Sequence, residues 1–167
     1  MLSMFTFESI LIFAILLCLS LSIGSFIGMA SYRIPQKINL GETDDPYLLG
    51  GRSRCPHCNQ NLRNRDLIPI LSFLLLKGKC FFCNKKISSR YLLIELAACA
   101  CFLTCVLASN DNLVRITLFC FMVGLLLSSV IDIEHGLLPD QITLPLLWIG
   151  LIVNLYLELV PLRAAVL

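Results

Sequence analysis

Four thiols and one carboxylate carry the chemistry legible in these 167 residues. Cys55, Cys58, Cys80 and Cys83 form two C-x-x-C pairs separated by twenty-one residues. A C-x-x-C turn aims two thiolates at one ion about 2.3 Å away, and two such turns complete a closed tetrahedral set with no position left for water. That is the donor set of a structural Zn²⁺. Free or disulfide-bonded cysteines are the alternative, and disulfides would require an oxidising compartment. The carboxylate is Asp132, at the end of an apolar run in SSVIDIEHGLLPDQITLPLL. An ionisable group at the edge of a membrane helix is a functional candidate, although a capping or snorkelling acid fits the same position. Asp140 follows Pro139 and reads most simply as the cap of the next helix, with Gly136 supplying the bend; the alternative is a carboxylate that approaches Asp132 across the turn as its partner. Glu95 lies just inside another apolar run, where it either serves a site or, more simply, is an interfacial acid with a basic neighbour such as Arg90. His57 fills the first cysteine turn, and His135 takes no role.

The elements that position these groups follow from composition. At 57% hydrophobic, 14% charged and mean hydropathy +0.85, the chain is too apolar for an ordinary soluble domain. Four stretches, near 9–30, 92–108, 116–133 and 144–160, approach or reach the roughly 20 helical residues needed to cross a hydrocarbon core. The fold class expected is an all-α integral membrane protein of about four transmembrane helices, with a zinc-binding loop between the first and second. Three segments result: residues 1–31 as the first span, 32–90 as the loop, and 91–167 as three further spans. Eleven of the thirteen Lys and Arg residues lie in the loop, against four acids. The positive-inside rule therefore makes the loop cytoplasmic, where thiols stay reduced and metal is favoured over disulfide. No aromatic platform accompanies the basic residues, so nucleic-acid binding is not expected. Cys18, Cys99, Cys101, Cys105 and Cys120 lack ligand spacing and read as small apolar fillers.

The amino-terminal run has no basic residue ahead of it and no clear cleavage site, so a retained span is expected rather than a signal peptide. Gly24, Ser25, Gly28 and Ala30 either form a small-residue face for a neighbouring helix or are scattered without a packing role. Pro35 is expected to stop the first helix. Gly41, Pro46, Gly50 and Gly51 then predict a loop with little regular structure. Between the cysteine pairs, LIPILSFLLL is too short to span and forms either a short helix or a segment at the membrane surface. SNDNLVR predicts a tight turn between the second and third spans.

Taken together, GSFIGMASYRIP, RSRCPHC with KCFFC, PILSFLLLKGKC, RYLLIE and VIDIEHGLLPD occur in the order seen in the type IV prepilin leader peptidases, which the chain resembles from about Gly24 to the end of the fourth apolar stretch. The resemblance implies an aspartic endopeptidase of the bacterial inner membrane. Such an enzyme removes the leader of prepilins and pseudopilins at the cytoplasmic face, then methylates the new amino terminus with S-adenosylmethionine. It implies Asp132 as the first catalytic aspartate and Cys55, Cys58, Cys80 and Cys83 as zinc ligands, both cytoplasmic. The sequence departs from the family at Gly28, where Asn is usual, and at Leu92, where Pro is usual; both touch the region tied to methylation. An aspartic protease needs two carboxylates, and the family's second aspartate motif, G-x-G-D, does not occur in these residues. The expectation is thus the amino-terminal half of such an enzyme, inactive without a complementing chain or second copy. The alternative is a non-catalytic membrane adaptor whose zinc loop docks leaders or assembly proteins.

Overall fold

In a computed structural model of the protein, residues 7–40, 52–55 and 57–157 are described. The chain divides into two compact units, Met1–Ala100 and Cys101–Leu167. The elements are α1 (Phe7–Leu40), a 3-10 turn (Asn64–Leu67), α2 (Leu71–Leu75), α3 (Arg90–Ala108), α4 (Asn112–His135) and α5 (Asp140–Leu157). The unit boundary falls inside α3. Among the described residues there is no strand beyond two isolated bridges, Arg54 with Asn61 and Lys79 with Lys86. Among the described residues, three helices are long and apolar enough to cross a membrane: Ile10–Pro35, Arg90–Ala108 and Asn112–His135. Where a fourth span is expected there is a shorter apolar helix, Asp140–Tyr156, which falls below the length of the other three. Large apolar side chains face outward along α1, α4 and α5, for example Ile15, Ile116 and Leu147, as lipid solvation requires.

In the first unit, α1 packs through a stripe of small or buried residues: Ser20, Gly24, Ile27, Gly28, Ser31 and Pro35 are all buried. Steps of three and four keep them on one helix face. The small-residue face is therefore a contact. A Cβ on Gly24 would lie 2.7 Å from the Glu95 Cα and 3.0 Å from the Ala98 Cβ, and one on Gly28 would lie 3.0 Å from the Tyr91 ring. Ala30 is buried on the same side, whereas Ser25 is only half-buried. Gly24→Val should cost about 1–3 kcal/mol, because the added atoms meet backbone rather than a movable side chain. Thermal unfolding in detergent, with the exposed Cys18→Val as control, would measure this.

Two local expectations need correction. Pro35 does not stop α1, which continues to Leu40. A proline inside a helix removes the bond to the carbonyl four residues back, here Ser31, at a cost of about 3 kcal/mol. Ser31 and Pro35 are both fully buried, and Arg90 Nη2 reaches across to donate to Ser31 Oγ at 2.7 Å, so packing offsets that cost. Glu95 is not an interfacial acid beside Arg90. It is 6% exposed and accepts a 2.8 Å hydrogen bond from the Ile70 amide. The loop expected at Gly41, Pro46, Gly50 and Gly51 lies outside the described residues.

In the second unit, Ser109 to Asp111 make the expected tight turn. The Asp111 carboxylate caps α4 by accepting from the Leu113 amide at 2.8 Å, and Arg115 Nε donates to the Ser109 carbonyl. Helix α4 ends at Gly136, which adopts φ 61° and returns its amide to the Asp132 carbonyl at 2.8 Å, a left-handed cap suited to glycine. Helices α4 and α5 approach at Gly124, where a Cβ would meet Leu146, and at Gly150 beside the Phe121 ring. Of the cysteines expected as apolar fillers, Cys105 is buried, Cys99 and Cys101 are half-buried, and Cys18 and Cys120 face outward.

Candidate metal centre and carboxylates

The cysteine pairs sit on two turns of the same construction, offset by 25 positions. In the first, the Asn59 amide donates to the Cys55 carbonyl at 2.9 Å, the Cys55 amide to the Gln60 carbonyl at 3.0 Å, and the Leu62 amide to the Ser53 carbonyl at 2.8 Å. In the second, Asn84 donates to Cys80 at 3.0 Å, Cys80 to Lys85 at 2.9 Å and Ile87 to Gly78 at 2.8 Å. Each turn reverses at an asparagine in the left-handed region, Asn59 at φ 56° and Asn84 at φ 54°, where Asn is tolerated better than most residues. The cysteine spacing alone does not point to these asparagines. The signal that could have found them is the repeated C-x-x-C-N.

The two turns bring Cys55, Cys58, Cys80 and Cys83 together, with all four Sγ atoms within 4.8 Å of one another. The Cys55 and Cys83 sulfurs are 3.9 Å apart. A tetrahedral ion with 2.3 Å bonds to sulfur needs edges of about 3.8 Å, so the donors fit a divalent, thiophilic metal. All nine cysteines are free thiols in this structure.

Burial raises the Cys55 thiol, but the Cys58 and His57 amides and the neighbouring Cys80 and Cys58 thiols outweigh it and lower it to about 7. The Gln60 amide pulls Cys58 down, yet burial and the adjoining Cys55, Cys83 and Cys80 sulfurs prevail and push it to about 11. The first negative charge thus settles on Cys55, which resists ionisation of its neighbour until a cation arrives.

A second tie joins the turns without metal. The Arg63 guanidinium lies 3.4 Å from the centroid of Phe81, a ring in the second turn, and forms a paired contact with Asp66 at 3.1 and 3.0 Å. The hydrogen bonds from Arg63 hold the Asp66 carboxyl below its ordinary value, against burial. Because the folded value is depressed, this contribution is present at neutral pH and is lost as pH falls through the folded value. Arg63→Ala should return Asp66 to the usual carboxylate range, as ¹³C-detected titration of the carboxyl would show. An unchanged Asp66 titration would refute the pairing.

Asp132 is exposed in the last turn of α4, as is Glu134. Asp140 is exposed at the first position of α5, where its charge favours the positive end of the helix dipole. The Pro139 carbonyl, rather than the Asp140 side chain, receives the Ile142 and Thr143 amides at 2.9 and 3.1 Å. Among the described residues the Asp132 and Asp140 carboxylates make no hydrogen bond to each other, so they do not form a proton-sharing pair in this structure.

Residues 18–109 match the bacterial peptidase A24 N-terminal domain, and residues 119–167 match the type IV leader peptidase family. The chain is 36% identical to a prepilin leader peptidase/N-methyltransferase of Dichelobacter nodosus, covering 88% of this chain and 58% of that protein. It is 40% identical to a protein of the same name from Dickeya chrysanthemi, covering 96% and 62%. The corresponding figures for Burkholderia pseudomallei are 38%, 92% and 55%. The chain therefore spans somewhat more than half the length of these curated relatives. No solved structure matches it.

Proposed function

The chain belongs to the type IV leader peptidase family, and from that membership we propose that it carries the zinc-stapled cytoplasmic loop and the first catalytic aspartate of an inner-membrane prepilin leader peptidase/N-methyltransferase. The four-sulfur cage at Cys55, Cys58, Cys80 and Cys83, inside the matched N-terminal domain, is the observation that carries the reading. Zn²⁺ held there has no open position, so its contribution is structural: it fixes the two turns in one geometry. The basic surface around the cage, with the positive-inside rule, supports a cytoplasmic loop.

In this reading Asp132 acts on the scissile peptide of prepilins and pseudopilins. One carboxylate of an aspartic pair activates water while its partner, protonated, polarises the carbonyl or protonates the leaving amine. Asp132 is the member contributed by these residues. Its position at the exposed end of α4 supports reach to a chain arriving at the membrane surface. The partner carboxylate comes from a G-x-G-D segment or a complementing chain.

S-adenosylmethionine is the methyl donor the family implies. Among the described residues, a groove against α1 sets the Ser22, Ser25 and Ser53 hydroxyls beside apolar Phe26, Met29 and Leu67.

The test is a chimera of residues 1–167 with the remaining segment of the Dickeya chrysanthemi relative, expressed with a tagged prepilin in cells lacking such an enzyme. Mass analysis of the pilin amino terminus should show the leader removed. An inserted, zinc-loaded chimera that leaves every leader intact, while the full-length relative cleaves, would sink the peptidase reading in favour of an adaptor that only docks leaders.

A further inference from the structure

The linker between the cysteine turns presents its apolar side chains outward. Leu71, Leu74 and Leu75 are 56, 61 and 80% exposed, and their spacing places them on one face of α2. Leu67 and Ile68, just before it, are also exposed. The inward side is already occupied: Phe73 packs over Gly78, whose Cβ position lies 3.0 Å from the ring. A ridge of five large apolar residues in water would be costly.

Two contacts set its depth against the membrane helices. Leu67 and Pro69 line a groove with Ser22, Phe26 and Met29 of α1. The apolar span of α1 begins at Ile10, so about 20 residues of hydrocarbon crossing end near Met29. Ser22 to Met29 is thus the last part of that crossing, roughly 10 Å deep at 1.5 Å per residue. Independently, the Ile70 amide is bound by Glu95, five residues, or about 7–8 Å, inside the start of α3 at Arg90. The same bond holds Ile70 at φ 59° and ψ −53°, a backbone state that a β-branched residue adopts only under external constraint. Both contacts put the linker alongside the spans rather than above them. Around it, residues 52–90 carry nine Lys and Arg against one acid, and Lys77 and Lys79 flank α2 directly.

We propose that residues 67–75 form a membrane-inserted ridge, with Leu71, Leu74 and Leu75 seated in the acyl boundary of an anionic leaflet and the surrounding Lys and Arg on its headgroups. An interfacial element of this kind buries its apolar face about 5–10 Å below the headgroups, and each nearby basic residue adds attraction to anionic lipid. Glu95 is the latch that holds the ridge at this depth. The proposal rests on reading α1 and α3 as spans.

The test uses the full chain in bilayers of zwitterionic and anionic lipid, with lipids brominated at shallow or deep acyl positions as quenchers. The single tryptophan, Trp148 on α5, is 62% exposed and reports whether the chain is in the bilayer. In a Trp148→Phe background, Leu75→Trp and separately Leu74→Trp place an indole on the ridge, and retained metal content verifies the fold. The expected result is quenching of each introduced indole by bromolipid, stronger from the shallow position, with protection from aqueous iodide. Iodide quenching without bromolipid quenching would place the ridge in water and overturn the proposal. Protection from both would mean protein covers it, which overturns the proposal equally. In either case bromolipid quenching of Trp148 would leave the membrane reading standing, whereas its absence would remove that reading too.

Discussion

Asp132→Asn, introduced into the chimera that removes prepilin leaders, should lower cleavage by roughly 10²- to 10⁴-fold, the range associated with a positioned acid or base. Asn keeps the size and one carbonyl oxygen but cannot carry or exchange the proton that an aspartic pair shares. The side chain is exposed and only the Asp132 backbone carbonyl serves the Gly136 cap, so the substitution leaves the end of α4 intact. Zinc content and membrane insertion should therefore match the parent while the leader stays attached. Asp140→Asn serves as comparison: an exposed acid at a helix start contributes only a few tenths of a kcal/mol through the dipole, and cleavage should persist. Equal loss in both variants would mean that Asp140 shares the chemistry. Full activity of Asp132→Asn would remove Asp132 from it.

Removing one cage ligand should act on the fold rather than on a reaction step. Cys80 is buried at 1% exposure, and its amide and carbonyl both close the second turn. Cys80→Ser replaces a soft thiolate with a hydroxyl that stays protonated, leaving three sulfurs around one ion. Structural zinc contributes on the order of 10–16 kcal/mol in small metal-folded modules, and losing a quarter of the donor set should forfeit enough of it to release the metal during purification. Elemental analysis should fall from one zinc per chain to near zero, with proteolysis appearing between residues 52 and 90. A variant that keeps one zinc would disprove the four-sulfur assignment. The same chemistry sets a pH dependence. With Cys55 near 7 and Cys58 near 11, loading at neutral pH must expel protons, so affinity should fall as pH is lowered below 7 and rise above it.

How far the site was legible depended on how local its causes are. The cysteine turns were legible because each is closed by hydrogen bonds between residues four to nine positions apart, such as Asn59 to Cys55 and Leu62 to Ser53. Their repeated asparagine was equally present in the sequence, though it gains meaning only once the left-handed backbone is seen. The Arg63 contact with Phe81 was not legible, since a basic residue in a positive loop is accounted for by topology alone. Asp132 stood out through its motif context, an acid closing an apolar run, and the fold places it exposed at the end of α4.

The sequence by itself determined that several helices must enter a membrane and that four sulfurs could share one ion. Hydropathy over about 20 residues is a threshold property, and C-x-x-C is short enough to constrain its own geometry. Only the tertiary structure decided which side of each helix is used. Pro35 continues a helix because Ser31 and Pro35 are buried together, and Gly24 is a contact because the Glu95 backbone lies opposite it. Glu95 became a buried acceptor because Ile70, twenty-five residues earlier, presents its amide there. Such pairings join residues far apart in the chain, and no local propensity or spacing encodes them; the packing of α1, α3 and the linker does.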